Sequence, residues 1–198
     1  MQEDCAMPDK LRFHFNFDRS LQAVAHLLKK MDGEEMPYIH LLKMLYIADR
    51  EYLAENGYMI TGDRVVAMEY GPVLSHILNL IKGKEDRAGV WQHSIQTLKR
   101  YSIRLISDPG IGDLSRSIMA KLNTVFDRFG NLEPFRVVQL THDFPEWSKH
   151  YVSGTSTLIP WQEILLAQGK EQMEQIAVEQ IRLQSHQRAL QKVINETR

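Results

Sequence analysis

Cysteine is nearly absent. Cys5 is the only one in 198 residues, so no disulfide can form within the chain. A single thiol in an N-terminal arm, with no local base, reads as a spectator rather than a nucleophile. Long apolar runs are also missing, and none approaches the ~18 residues a membrane span requires. The first ten residues, MQEDCAMPDK, lack the positive-then-apolar order of a secretory leader. These features predict a cytoplasmic protein with no membrane partner. Neither sign of charge dominates: 24 Lys and Arg stand against 25 Asp and Glu, a formal net charge of -1. No global field drives such a chain onto nucleic acid. Lys99, Arg100, Tyr101 and Arg104 form a small basic–aromatic patch, more simply a wet sheet face than a nucleic-acid site.

Signatures of chemistry are missing as well. The eight histidines, at 14, 26, 40, 76, 93, 142, 150 and 186, fall in no HExxH or other ligand spacing, and no CxxC accompanies them. There is no GxSxG elbow and no glycine-rich phosphate loop, since Pro109-Gly110-Ile111-Gly112 is a turn. The sequence therefore assigns no catalytic residue, no metal site and no cofactor, and predicts a non-enzyme. Two places keep a metal-dependent or acid/base enzyme open as the alternative. One is His142, beside Asp143 at a break between helices. The other is the acidic group Asp49, Glu51 and Asp63. An imidazole pinning a corner and a solvated helix end explain them more simply.

What is present is a 43% hydrophobic content, enough for one core. The chain is organised around residues 37–72. Pro37 opens a helix that is apolar nearly all round and stops at Gly57, so neighbours are expected on more than one side. Lys43 and Asp49 lie inside its apolar run, so Asp49 should be partnered, near a surface, or both, and a tyrosine hydroxyl or Arg64 could supply its hydrogen bond. Val66, Met68 and Tyr70 then alternate as a strand, and Gly71-Pro72 reads as its end and the start of another helix.

Around this unit, Phe13, Phe15 and Phe17 alternate as a short edge strand or a docked arm. A first helix starts near Asp18. Val90-Trp91 and Tyr101–Ser107 read as strands in one sheet with Val65–Tyr70, Asp113 opens a patterned helix, and Asn131 caps a further one through Phe135, Val138 and Thr141. Pro160 starts a last short helix. Beyond Gly169 a glutamine-punctuated helix runs to Arg198. Met173, Ile176, Leu183, Leu190 and Ile194 lie on its heptad-like seam, with Gln180 and Gln187 at alternate seam positions. The predicted class is α+β, mainly helical: about six helices around a central buried helix, a small two- to three-stranded antiparallel sheet, and a long C-terminal helix.

Several of these residues occur in an order that resembles one family. Lys43-Met44-Leu45-Tyr46-Ile47-Ala48-Asp49, then Thr61-Gly62-Asp63 and Ala67-Met68-Glu69-Tyr70-Gly71-Pro72-Val73, are similar to the signature of the Panacea domain, the SocA-like antitoxin domain. Leu140-Thr141-His142 with Trp147, and Ile159-Pro160 before a short helix, resemble its later elements. The resemblance spans roughly residues 17–168. It implies a non-enzymatic antitoxin that neutralises a cognate toxin by direct binding. One branch of the family is implicated as an adaptor presenting its toxin to a ClpXP-type AAA+ protease.

The expected organisation is an arm over 1–16, the antitoxin domain over 17–168 and a helical extension over 169–198. That extension would meet the partner or form a homodimer. Candidate partner-binding residues are Tyr46, Asp49, Arg50, Tyr70, Pro72, Ile176, Leu183 and Leu190. A core role competes for Tyr46, Asp49, Tyr70 and Pro72. Thr141, His142 and Trp147 are assigned to the structural motif.

Overall fold

The computed structural model describes residues 11–85 and 87–196. Cys5 and most of the expected arm lie outside the described residues. Residues 11–16 form no strand, so of the two options for the phenylalanines the docked arm is the one observed. Phe13 is buried in edge contact with Trp161, the ring centroids 5.7 Å apart, and Phe15 stacks on His76.

Helix α1, Phe17–Leu28, is capped by Asn16 and not by Asp18: Asn16 Oδ1 accepts the Arg19 N–H at 3.0 Å. A short turn leads to strand β1, Glu35–Pro37, so Pro37 closes a strand and the central helix α2, Tyr38–Asn56, begins one residue later. Every residue from His40 to Asp49 is buried, which requires neighbours on all sides of α2. Gly57 ends the helix in the left-handed conformation.

Strands β2, Val65–Met68, and β3, Gly71–Leu74, form a hairpin closed by only two residues, Glu69 and Tyr70. Gly71-Pro72 therefore begins a strand rather than a helix. As an edge strand β3 tolerates the missing Pro72 N–H, and helix α3, Ser75–Ile81, starts after it. Val90-Trp91 belongs to a short helix, α4, Ala88–Gln92, not to a strand. Its three-residue spacing brings Ala88 and Trp91 onto one buried side.

Strand β4, Ile95–Thr97, and strand β5, Ser102–Leu105, join β1 in a sheet of order β1-β5-β4. The hairpin instead pairs with strand β6, Thr157–Leu158, in order β3-β2-β6. Val65–Met68 and Ser102–Leu105 thus sit in two separate three-stranded antiparallel sheets, because β1 and β6 each claim one of them. Arg104, from the basic–aromatic patch, is paired with Glu35 at 2.5 Å.

The remaining helices are α5, Arg116–Phe129; α6, Pro134–His142; α7, Pro145–His150; α8, Trp161–Leu166; and α9, Glu174–Glu196. Ser115 caps α5 and Glu133 caps α6, in place of Asp113 and Asn131. Asp113 bonds Gln22 instead. Nine α-helices are present among the described residues against about six expected. The additions are short ones such as α4 and α7, too brief for a periodic signal. The class is α+β and mainly helical, as predicted.

One continuous core runs from Phe13 to Ile181. The long C-terminal helix is also present, but only Ala177 and Ile181 of α9 are buried. From Ser185 to Glu196 every residue is exposed, an overhang of about 18 Å at 1.5 Å per residue. Among the described residues no helix is long and apolar enough to cross a membrane.

Candidate functional site

Lys43, Tyr46 and Arg50 are spaced three and four apart and share one face of α2. Each is answered from a different element. Lys43 Nζ donates to the Pro72 carbonyl at 2.6 Å, and burial without a carboxylate partner pulls its pKa down to about 7. Tyr46 Oη donates at 2.7 Å to Glu146 Oε1 in α7, and the same oxygen accepts the Arg50 Nε–H at 2.6 Å. The Arg50 guanidinium also lies 4.2 Å from the centre of the Phe144 ring.

Asp49 turns elsewhere. It accepts the Thr61 backbone N–H at 2.9 Å and the Thr61 hydroxyl, and burial pushes its carboxyl up to about 7. The tyrosine or Arg64 expected from sequence is replaced by Thr61, because Tyr46 is committed to Glu146 and Arg64 is exposed. The acidic group disperses. Glu51 pairs with Lys121 and Arg128, while Asp63 accepts the first N–H groups of α3 from His76 and Ile77. Among the described residues no three His, Cys, Asp or Glu side chains converge in a way that could hold a metal ion.

Above this framework the β2–β3 hairpin is clamped. Gly71 has φ +91°, and a Cβ added there would stand 2.5 Å from Thr141 Oγ1 and 3.2 Å from Lys43 Nζ. Only glycine lets the strand lie this close to α6. The Trp147 indole N–H donates to the Met68 carbonyl at 3.0 Å. Its ring is sandwiched between His142, 4.2 Å away, and Tyr151, 4.9 Å away. Burial, and then the nearby Lys43 charge, hold the His142 pKa below its ordinary value, and its buried Nε2 has no hydrogen-bond partner. Thr141, His142 and Trp147 therefore form a clamp on the hairpin.

The clamped tip presents Tyr70, 52% exposed, in edge-to-face contact with Phe135, 53% exposed, at 6.2 Å. This pair makes an aromatic surface built from the β2–β3 hairpin and α6.

The other residues expected at a partner interface are divided. Tyr46 and Asp49 have no exposed surface, and Pro72 is buried, so these three support the fold from within. Arg50 is half-buried and engaged by Glu146. Ile176, Leu183 and Leu190 are exposed on α9, although Ile176 also crowds Gly57. Between the arm and α9 lies a half-open polar cleft of about 710 Å³, lined by residues including His14, Arg87 and Arg188.

Sequence reasoning missed Glu146 and Tyr151, and treated Phe135 as one apolar member of its helix pattern. Phe135 stands three residues from Val138, but the buried side of α6 is made by Val137, Val138 and Thr141. Glu146 carried a faint signal: a carboxylate between Pro145 and Trp147 in the first turn of a helix.

Neither the curated proteins nor the solved structures contain a match to this chain. A family model described as antitoxin SocA-like, Panacea domain, matches residues 41–148, just over half of the chain. The matched span starts within α2, takes in the hairpin and the whole of α6, and ends within α7. These are the elements that build the framework, the clamp and the aromatic surface, and the chain belongs to the Panacea-domain, SocA-like antitoxin family.

Proposed function

We propose that this protein is the antitoxin of a toxin–antitoxin pair and neutralises its toxin by covering the toxin's working surface. The observation that carries this reading is the exposed Tyr70–Phe135 pair on a rigidly held hairpin tip. Half-exposed aromatic side chains on a fixed scaffold are the residue type that dominates binding energy at protein interfaces. The Lys43 bond to Pro72 and the Trp147 bond to Met68 reduce the conformational freedom the tip would otherwise lose on binding.

The test is co-expression with the candidate toxin, identified as a neighbouring gene product that is lethal when expressed alone. Wild-type antitoxin restores growth, and Tyr70→Ala with Phe135→Ala weakens toxin binding at least tenfold while the far-ultraviolet spectrum stays unchanged. Full neutralisation by that double variant would refute the assignment of the surface. Toxin levels during rescue separate the mechanisms, since an occluded toxin stays at a steady level whereas an adaptor feeding a AAA+ protease depletes it.

The exposed seam of α9 supports a second contact, between two copies of this chain. Leu183, Leu190 and Ile194 are all exposed at heptad spacing, with Gln187 between them. Light scattering is expected to give a dimer mass that falls to the monomer mass in Leu183→Glu with Leu190→Glu. An unchanged mass in that variant would remove the helix from the interface.

A further inference from the structure

We propose that the hairpin tip is a receptor for a basic side chain, arginine above all, projecting from the toxin. This rests on reading the Tyr70 face as the toxin-binding surface. Tyr70 and Phe135 are each about half exposed, and aromatic ring faces attract cations. Glu69 precedes Tyr70 at the tip, and Asp143 follows His142, whose ring edge lies against Gly71. Both carboxylate residues are exposed, and among the described residues neither is ion-paired.

Nearby cations are ion-paired or sealed off, except Arg136, whose charge is met only by the neutral Gln139 amide. Lys149 is held by Glu163 at 2.8 Å, Arg136 bonds Gln139, Arg50 is bound to Glu146, and Lys43 is buried beneath the strand. Arg64 lies before the far end of β2.

The same three-part grouping of ring, carboxylate and guanidinium occurs complete elsewhere in the molecule. Arg50 lies over Phe144 and pairs with Glu146. Arg87 lies 3.6 Å from the Phe17 ring centre and pairs with Asp18. Arg128 lies over Phe129 and pairs with Glu51. Among the described residues the tip carries rings and unpaired carboxylates with no ion-paired cation between them. A planar guanidinium can stack on a ring and bond carboxylates through its edge, which a lysine ammonium does less well.

The full chain is titrated with N-acetyl-arginine amide and, separately, with its neutral isostere N-acetyl-citrulline amide, while the Tyr70 and Phe135 ring resonances are followed by NMR. The arginine probe is expected to shift both rings, with citrulline at least fivefold weaker. Glu69→Gln with Asp143→Asn, two exposed positions, should abolish that difference while leaving the Trp147 indole resonance in place. Equal responses to the two probes, or a preference for arginine that survives the double variant, would overturn the receptor. The toxin assay is separate. Arginine binding at the tip together with unimpaired neutralisation by the Tyr70→Ala and Phe135→Ala variant would sink the toxin-binding reading and leave the receptor standing. Impaired neutralisation without arginine preference would do the reverse.

Discussion

Glu146→Ala is expected to lower the thermal midpoint by roughly 10 °C, from a loss of about 3–5 kcal/mol spread over a chain of this size. The carboxylate is fully buried and one of its oxygens accepts from both Tyr46 Oη and Arg50 Nε. Removing it strands a fully buried phenol and leaves a mostly buried guanidinium without its carboxylate. Glu146→Gln retains an acceptor for Tyr46 and should lose less. The three members act as a unit, so Tyr46→Phe combined with Glu146→Ala should cost clearly less than the two single losses added together. Denaturant melts of the four proteins measure this directly. A Glu146→Ala protein within about 1 kcal/mol of wild type would show that the trio is peripheral to stability, contrary to its burial.

Lys43→Met should change sign with pH. The folded-state pKa of Lys43 is lowered from 10.5 to about 7. As pH falls from 10.5 to 7 the unfolded chain takes up this proton while the folded chain does not, so stability declines across that window and the full cost is present below it. At pH 7 the cost is about 4 kcal/mol. Methionine removes it but leaves the Pro72 carbonyl without its donor, a loss of about 1–3 kcal/mol. The variant is therefore expected to be more stable than wild type at pH 7 and less stable near pH 10.5. Asp49 works in the opposite direction. Its pKa rises from 3.8 to about 7, so its contribution is fully favourable below 3.8 and is lost as pH rises to 7. The two groups together make neutral pH the least favourable point for this part of the core. Urea melts at pH 7 and pH 10 test the lysine part, and a stability difference independent of pH would refute it.

Much of the scaffold was legible because some signals are local. A run of ten buried residues announces itself as apolar sequence on every side of a helix, and the order of Lys43–Asp49, Thr61–Asp63 and Ala67–Val73 carried the family resemblance. Pairings that depend on distant partners were not legible. Whether Val65–Met68 joins Ser102–Leu105 or Thr157–Leu158 is decided by which strand reaches it, not by its own alternation. Asp49 found Thr61 because a turn twelve residues later folds back on α2, an event no periodicity encodes. Gly71-Pro72 was read as a helix start because both residues are common there, whereas a close approach to Thr141 is what requires the glycine. Phe135 shows the same limit at the surface: spacing along a helix gives its faces but not which of them meets solvent.

Two side chains of the last helix are buried, Gln184 and Ser185 bond the arm through His14, and beyond that point its described residues are exposed. That stretch can therefore be rewritten, lengthened or lost without disturbing the clamp or the trio beneath it. Whatever it grips can be exchanged over generations while the rest of the molecule stays as it is.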